Sequence, residues 1–340
     1  MSPLPLKRSY RILTLASDLG IKPSRDPVRD ILRFCERRVQ RFRRDFPECA
    51  TLSHLLEICA SKLGTGFEEI YTGVQLDEVQ ARYMRQGERA FAGLYEELSP
   101  AVFGITFKRL SRRPWELPYV SVIDCRGDKK FRSYYTKWHE LGHLLILTDQ
   151  MRLTFCRTHI GSDDKDPEEV LVDAIAGAFG FLPDFVRPLA RGEPSFTKIE
   201  SIRTRLCPEA SVVSSLIGIV RAWPVTCILL QARMGLKRGE RRALIQGSLG
   251  FQEEPRESLR AVQITPNEKA RNEGFVIFPN MRVPERSIIY KAFTGKATED
   301  KAAEDLSWWE SSDGSRLPSS PVFVQVQNTH EGVFALVTPR

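Results

Sequence analysis

The stretch Trp138–Leu145, WHELGHLL, places two histidines and a glutamate inside an otherwise apolar run. The run has the character of a helix that is buried in a domain. On a helix, residues four apart lie on one face, so His139 and His143 project to the same side. A buried carboxylate beside two imidazoles is costly unless a partner satisfies these groups. The sequence therefore predicts a partner that satisfies the two histidines and the glutamate.

The pattern His-Glu-x-x-His is typical of a zinc site. His139 and His143 can bind one zinc ion at about 2.0–2.1 Å from each nitrogen. Glu140 is the expected general base, which takes a proton from water as the water attacks a peptide carbonyl. The alternative is an ordinary helix with both histidines bonded to backbone and the glutamate at the surface. Only 5 of the 340 residues are histidine, so a chance match is uncommon, and we predict a zinc metallopeptidase.

A third metal ligand is expected further along the chain, because a catalytic zinc usually has three protein ligands and one open position. His159 lies too far on for the extended pattern that ends in a third histidine. Glu169 and Asp173 are spaced four apart on the next predicted helix. We expect Glu169 to bind the zinc. Asp173 would accept a hydrogen bond from a ligand histidine and fix its tautomer.

Glu169 also has a simpler explanation as part of a helix start. Asp166 would be the N-cap, Pro167 the first helical residue and Glu169 the partner in a capping box. Glu168 is the alternative ligand, about 100° away around the helix. We favour Glu169 as the ligand, since the site otherwise lacks a third donor.

The pattern along the chain predicts an α+β fold with a small sheet, the His-Glu-x-x-His helix and a glutamate helix at its centre. Four regions are predicted: an N-terminal helical region at 1–98, a metallopeptidase core at 99–192, a helical region at 193–254 and a β-rich or α+β module at 255–340.

Composition limits the cellular setting. Seven cysteines are scattered and form no CxxC pair, which indicates reduced thiols and a cytoplasmic protein. No apolar run is long enough for a membrane span, so no membrane partner is expected. The net charge of +7 allows nucleic-acid contact without requiring it. The arginines near 37–44 are read as a solvated basic face.

These motifs resemble the ImmA/IrrE family of metallopeptidases, in the wider gluzincin group, over about residues 98–190. The resemblance rests on WHELGHLL and on the later ExxxDAIAxAFGFLP. The chain departs from the family at Val172 and Asp173, where the family has Ala and Asn, and it has one more residue before Pro183. The resemblance implies a zincin-like core and a zinc-dependent cytoplasmic endopeptidase. Its relatives cleave or inactivate helix-turn-helix repressors that control stress-response or mobile-element genes.

The strand YVSVID at 119–124 precedes the helix of the motif, as the edge strand does in the zinc peptidases that this chain resembles. That resemblance implies an edge strand that docks an extended substrate, and the alternative is a central strand.

The resemblance also implies roles for the flanking regions. The region at 193–254 would be helix-turn-helix-like, although its sequence favours plain helical packing. Residues 255–340 would be a sensor or docking module. The alternative function is a DNA- or partner-binding regulator that uses the protease fold as a scaffold or anti-repressor. The intact Glu140 argues against a pure scaffold. Tyr134, Tyr135 and Arg126 are nearby candidates for stabilising an oxyanion, and the sequence does not choose among them.

Overall fold

The computed structural model describes residues 9–147, 156–159, 166–236, 257–311 and 314–340. The fold is mixed α+β, with two small sheets. The chain forms two compact units. The first comprises Met1–Phe185 and Arg203–Ser214, and the second comprises Val186–Ile202 and Ser215–Arg340.

Helices and strands alternate along the first part of the chain. In order, they are α1 Tyr10–Asp18, α2 Pro27–Arg44, α3 Leu52–Leu63, β1 Thr65–Ile70, α4 Gly73–Arg85, α5 Leu94–Glu97, β2 Val102–Lys108, β3 Tyr119–Asp124, α6 Ser133–Leu145, β4 Cys156–His159, α7 Pro167–Phe179 and α8 Pro183–Val186. Short 3₁₀ helices lie at Arg89–Gly93 and Gly127–Arg132.

Both helices and strands follow in the rest of the described chain. In order, the elements are α9 Phe196–Leu206, α10 Val212–Ala222, β5 Ile228–Gly235, β6 Ser258–Pro266, α11 Glu268–Asn272, α12 Ile288–Phe293, β7 Lys301–Asp305, β8 Pro321–Thr329 and β9 Gly332–Pro339. A 3₁₀ turn lies at Leu306–Trp308.

The sheet of the first unit has the strand order β1-β3-β2-β4. Strand β3 pairs in parallel with β1 and antiparallel with β2, and Val122 lies opposite both Glu68 and Ile105. The expectation that YVSVID is an edge strand is therefore wrong, and the alternative, a central strand, is correct. The outer strands are β1 and β4.

The sequence pattern does not predict strand β1. Gly64 ends α3 in a left-handed conformation with φ of 77°. The next six residues, TGFEEI, show little alternation, and only Thr65 and Ile70 are buried. Their strand conformation depends on pairing with β3, which is far away in sequence. The region 1–98 is therefore not purely helical, and a boundary near 98 would divide this sheet.

Helix α6 is enclosed almost all round. It packs against β2, β3, α3 and α7. All its residues are buried except Tyr135 and Lys137, which are half-buried. Hydrogen bonds from charged side chains fix the chain near each end of α6. Buried Asp124, at the end of β3, accepts hydrogen bonds from Arg126 and Lys129 just before α6. Arg38 of α2 donates to the carbonyl of Leu145 at 2.6 Å, so this arginine is not part of a purely solvated face.

Opposing effects act on the Asp124 carboxyl. Burial would raise its pKa, but the bonds from Arg126 and Lys129 outweigh this and lower the pKa. Asp124 is therefore held as a carboxylate that fixes the turn from β3 into α6.

Helices α6 and α7 approach each other closely. Trp138 stacks on Phe179 with 6.3 Å between the ring centroids. At Gly142, an added Cβ atom would lie 2.9 Å from Cγ1 of Val172 and 3.4 Å from Cγ2 of Ile175. A side chain at 142 would therefore push the helices apart.

The second unit contains an antiparallel sheet with the strand order β6-β5-β9-β8-β7. Strand β5 lies in the region 193–254 that the sequence predicts to be helical, so this prediction is wrong at Ile228–Gly235. The apolar start of β5 is fully buried, and such a run fits a buried strand or a buried helix equally well. The β-rich part thus begins before residue 255. Residues 237–250 lie outside the described part.

Among the described residues, none of the helices combines the length and apolar character needed to cross a membrane.

We predict that Gly142→Ala lowers the free energy of unfolding by up to about 2 kcal/mol. Overpacking costs about 1–3 kcal/mol, and alanine returns about 1 kcal/mol through its higher helix propensity. The control is Gly73→Ala in α4, where an added Cβ meets nothing within 4 Å. Urea denaturation measures both variants, and equal or greater stability of Gly142→Ala would show that the helices do not need this glycine.

Candidate metal centre

Helix α6 brings the two histidines of the motif together. The Nε2 atoms of His139 and His143 are 3.2 Å apart. His139 has no exposed surface and His143 is 3% exposed. The one-turn spacing therefore places both rings on one buried face, as the sequence predicts.

Helix α7 adds Glu169 to the same point. Its Oε2 lies 3.2 Å from Nε2 of His139, and its Oε1 lies 3.4 Å from Nε2 of His143. Tetrahedral ligands at 2.0–2.1 Å from a zinc ion are about 3.3 Å from each other. Each histidine nitrogen therefore has one oxygen of the Glu169 carboxylate at about the separation between two ligands of a tetrahedral ion. Among the described residues, these three form the group able to hold a metal ion.

Asp173 lies one turn after Glu169 and contacts the other side of the His139 ring. Its Oδ1 is 3.1 Å from Nδ1 of His139. Tyr135 donates from its hydroxyl to the backbone carbonyl of Asp173 at 3.0 Å and to Oδ1 at 3.3 Å. Since a carboxylate only accepts, His139 donates through Nδ1, and its Nε2 faces the candidate centre.

The charges at the centre fit a bound cation. Burial would lower the pKa of His139, but hydrogen bonds to Asp173 and Glu169 outweigh it and raise the pKa to about 9. Burial and the neighbouring His139 hold the pKa of His143 well below its usual range. Positive charge at His139 is thus favoured by its carboxylate neighbours, and a divalent ion in place of the added proton could bind both histidines and Glu169 at once.

Helix α7 starts as the capping alternative expects, with Asp166 as the N-cap followed by Pro167. The side chain of Asp166 accepts from the backbone N–H of Glu168 at 2.9 Å and caps α7. Glu168 lies less favourably than Glu169, because its Oε1 is 3.9 Å from Nδ1 of His143. Burial raises the pKa of Glu168. The carboxylate of Glu169 thus lies at the two histidines, where the sequence analysis expected the third ligand.

Glu140 is fully buried and faces the sheet. Its Oε2 accepts a hydrogen bond of 2.6 Å from Oγ1 of Thr106 on β2. On the same strand, a Cβ at Gly104 would lie 2.9 Å from Oε1 of Glu140. Sequence reasoning missed Thr106, because no local spacing links residues 34 positions apart.

The three oxyanion candidates all have other partners. Tyr134 donates to the carbonyl of Gly180 at 2.6 Å. Tyr135 bonds to Asp173. Arg126 bonds to Asp124. The structure thus gives each of them a role in packing or in orienting another residue.

Comparison with known proteins adds no assignment. Neither a scan against protein-family models nor a search of curated proteins finds a match for this chain. The likeness to metallopeptidases therefore depends on the residues of α6 and α7 themselves.

We predict that Glu169→Gln lowers zinc binding while the fold is kept. The change removes a charged ligand, so the affinity should fall by at least the roughly 10–100-fold that loss of a ligand-supporting group costs. Zinc per chain is measured by elemental mass spectrometry after dialysis against a weak chelator. Glu168→Gln is the control and should keep its zinc. Full zinc binding by Glu169→Gln would mean that the third ligand is another residue.

Proposed function

We propose that this protein is a zinc-dependent metalloendopeptidase that hydrolyses a peptide bond in a protein substrate. The observation that carries the proposal is the close grouping of His139, His143 and Glu169: the two Nε2 atoms are 3.2 Å apart, and each lies 3.2–3.4 Å from one oxygen of the Glu169 carboxylate. Glu140, the residue after His139, adds a buried carboxylate whose charge acts on His139. Two imidazoles, one carboxylate ligand and a separate carboxylate base form the set that metal-assisted peptide hydrolysis uses.

The roles of the residues follow from their contacts. Bound zinc would supply Lewis acidity, which polarises water and the scissile carbonyl. Glu140 would take the proton from the attacking water and pass it to the leaving amine. Asp173 holds the ring of His139 at Nδ1. Tyr135 in turn donates to Asp173, so the orientation of the ligand is fixed by two further side chains.

The arrangement of elements supports a zincin-like core of the ImmA/IrrE type. A small sheet packs against the helix that carries both histidines, and the next helix carries the glutamate. Because the proposed metal ligands come from both helices, the helices must lie close together, and they do so at Gly142.

An extended substrate would dock on an outer strand, and β4 is the better of the two. Helix α6 contacts β4, and within the described residues β4 pairs with β2 on one side only. A peptide can add to such an edge through main-chain hydrogen bonds. A flexible linker in a helix-turn-helix repressor, the substrate class implied by the resemblance, satisfies this demand.

The cysteines support action in the cytoplasm. The six thiols that the structure describes are free and buried, and they are Cys35, Cys49, Cys59, Cys125, Cys207 and Cys227. Free thiols of this kind suit a reducing compartment.

The alternative is a regulator that binds DNA or a partner without cutting. Exposed arginines on α2, including Arg37, Arg41 and Arg44, favour it. Such binding would weaken steeply with salt and would not depend on Glu140.

We predict that Glu140→Gln keeps zinc and fold but lowers cleavage by at least about 10²–10⁴-fold, the usual contribution of general acid–base catalysis. The measurement is mass spectrometry of new amino termini in cells that express wild-type protein or the variant. Glutamine can still accept the bond from Thr106, which makes the change conservative.

New amino termini that appear with the wild-type protein but not with Glu140→Gln would support the peptidase. Equal sets from both proteins would remove Glu140 from the mechanism. No new termini, together with salt-dependent DNA binding by both proteins, would favour the regulator.

A further inference from the structure

A chain of buried hydroxyl groups crosses the sheet of the first unit and ends at Glu140. Oγ1 of Thr65 lies 2.9 Å from Oγ of Ser121. Oγ of Ser121 lies 2.7 Å from Oγ1 of Thr106, which donates to Glu140 at 2.6 Å. All three hydroxyl residues are at most 2% exposed. Three strands, β1, β3 and β2, therefore each contribute one hydroxyl to a single line.

The direction of the hydrogen bonds follows from the carboxylate at the end. A carboxylate accepts and does not donate, so the one proton of Thr106 points to Glu140. Ser121 must then donate to Thr106, and Thr65 donates to Ser121 at 2.9 Å in preference to its longer contact of 3.4 Å with the carbonyl of Gly66. Hydrogen bonds aligned in this way polarise and strengthen one another in a buried setting. The line thus holds the Thr106 proton towards Glu140.

The backbone places this line with little freedom. Thr106 and Ser121 are direct partners in the antiparallel pairing of β2 and β3, so their side chains share one face of the sheet. Helix α6 packs against these strands. On the other carboxylate oxygen, Gly104 leaves room that a Cβ would fill. The carboxylate of Glu140 is therefore confined between a hydroxyl donor and a glycine.

We propose that Thr106, with its proton directed by Ser121, is a positioning residue that holds the Glu140 carboxylate in its working orientation. This inference rests on the proposed function, in which Glu140 is the general base. Thr106 bonds to the base and not to the metal ligands, so its loss should change turnover without changing zinc content. Misplacement of a reacting group by about 1 Å can cost roughly 100-fold in rate.

The test compares Thr106→Val with Thr106→Ser. Valine keeps the shape and β-branching of threonine without the hydroxyl, and serine keeps the hydroxyl. With a peptide that spans the cut site found by the amino-terminus experiment, we expect Thr106→Val to lower kcat by about 10–100-fold. KM and zinc per chain should be unchanged. Thr106→Ser should restore most of kcat.

The matched control is Thr226→Val in the second unit. Thr226 is also buried, and its Oγ1 donates to Oε2 of Glu273 at 2.5 Å. This variant loses the same kind of bond, and its kcat should stay at the wild-type value. A loss of kcat that follows thermal stability equally in Thr106→Val and Thr226→Val would overturn the positioning role, as would wild-type kcat in Thr106→Val.

A second measurement separates this inference from the proposed function. Crystal structures of Thr106→Val and Thr106→Ser show the position of the Glu140 carboxylate without any substrate. We expect it to move in the valine variant and to stay in the serine variant. If the wild-type protein cuts nothing, the proposed function fails, and these structures alone decide the inference. An unmoved carboxylate in Thr106→Val overturns it.

Discussion

The contact between α6 and α7 at Gly142 is the one on which the candidate centre depends. Two of the three donor side chains come from α6, and the third comes from α7. Neither helix alone can satisfy a tetrahedral ion. The missing side chain at Gly142 lets Val172 approach, and Glu169 lies nearly one turn before Val172 on α7. The ligand geometry thus requires the backbones of α6 and α7 to lie close together. The stacking of Trp138 on Phe179 also stabilises this close approach.

The surroundings of α6 explain how a helix so rich in polar chemistry can be buried. Glu140 has the hydroxyl of Thr106, and His139 has Asp173. The turn before the helix is held by Asp124, and its last turn is held by Arg38. Under the proposed function, these contacts would hold Glu140 and His139 in place before any substrate binds, which would lower the cost of reaching the reactive geometry.

Sequence reasoning works best here where chemistry and helical spacing coincide. The i, i+4 repeat places His139 with His143, and Glu169 with Asp173, whatever the rest of the fold does. It fails where structure depends on distant partners. Strand β1 has little alternation of its own, and the apolar run of β5 suits two conformations. Strand β3 is central because β1 and β2 lie on either side of it, and the contact of Thr106 with Glu140 also depends on this arrangement. No local sequence pattern predicts either feature.

The order in which the chain contributes to its two units has a consequence for inheritance. The second unit begins at Val186, the chain returns to the first unit at Arg203–Ser214, and the rest belongs to the second. Neither unit is thus one continuous stretch of the gene. Recombination at a single point cannot exchange one unit and leave the other intact. Exchange of either unit by recombination would therefore need more than one crossover, unlike exchange of modules joined by a simple linker.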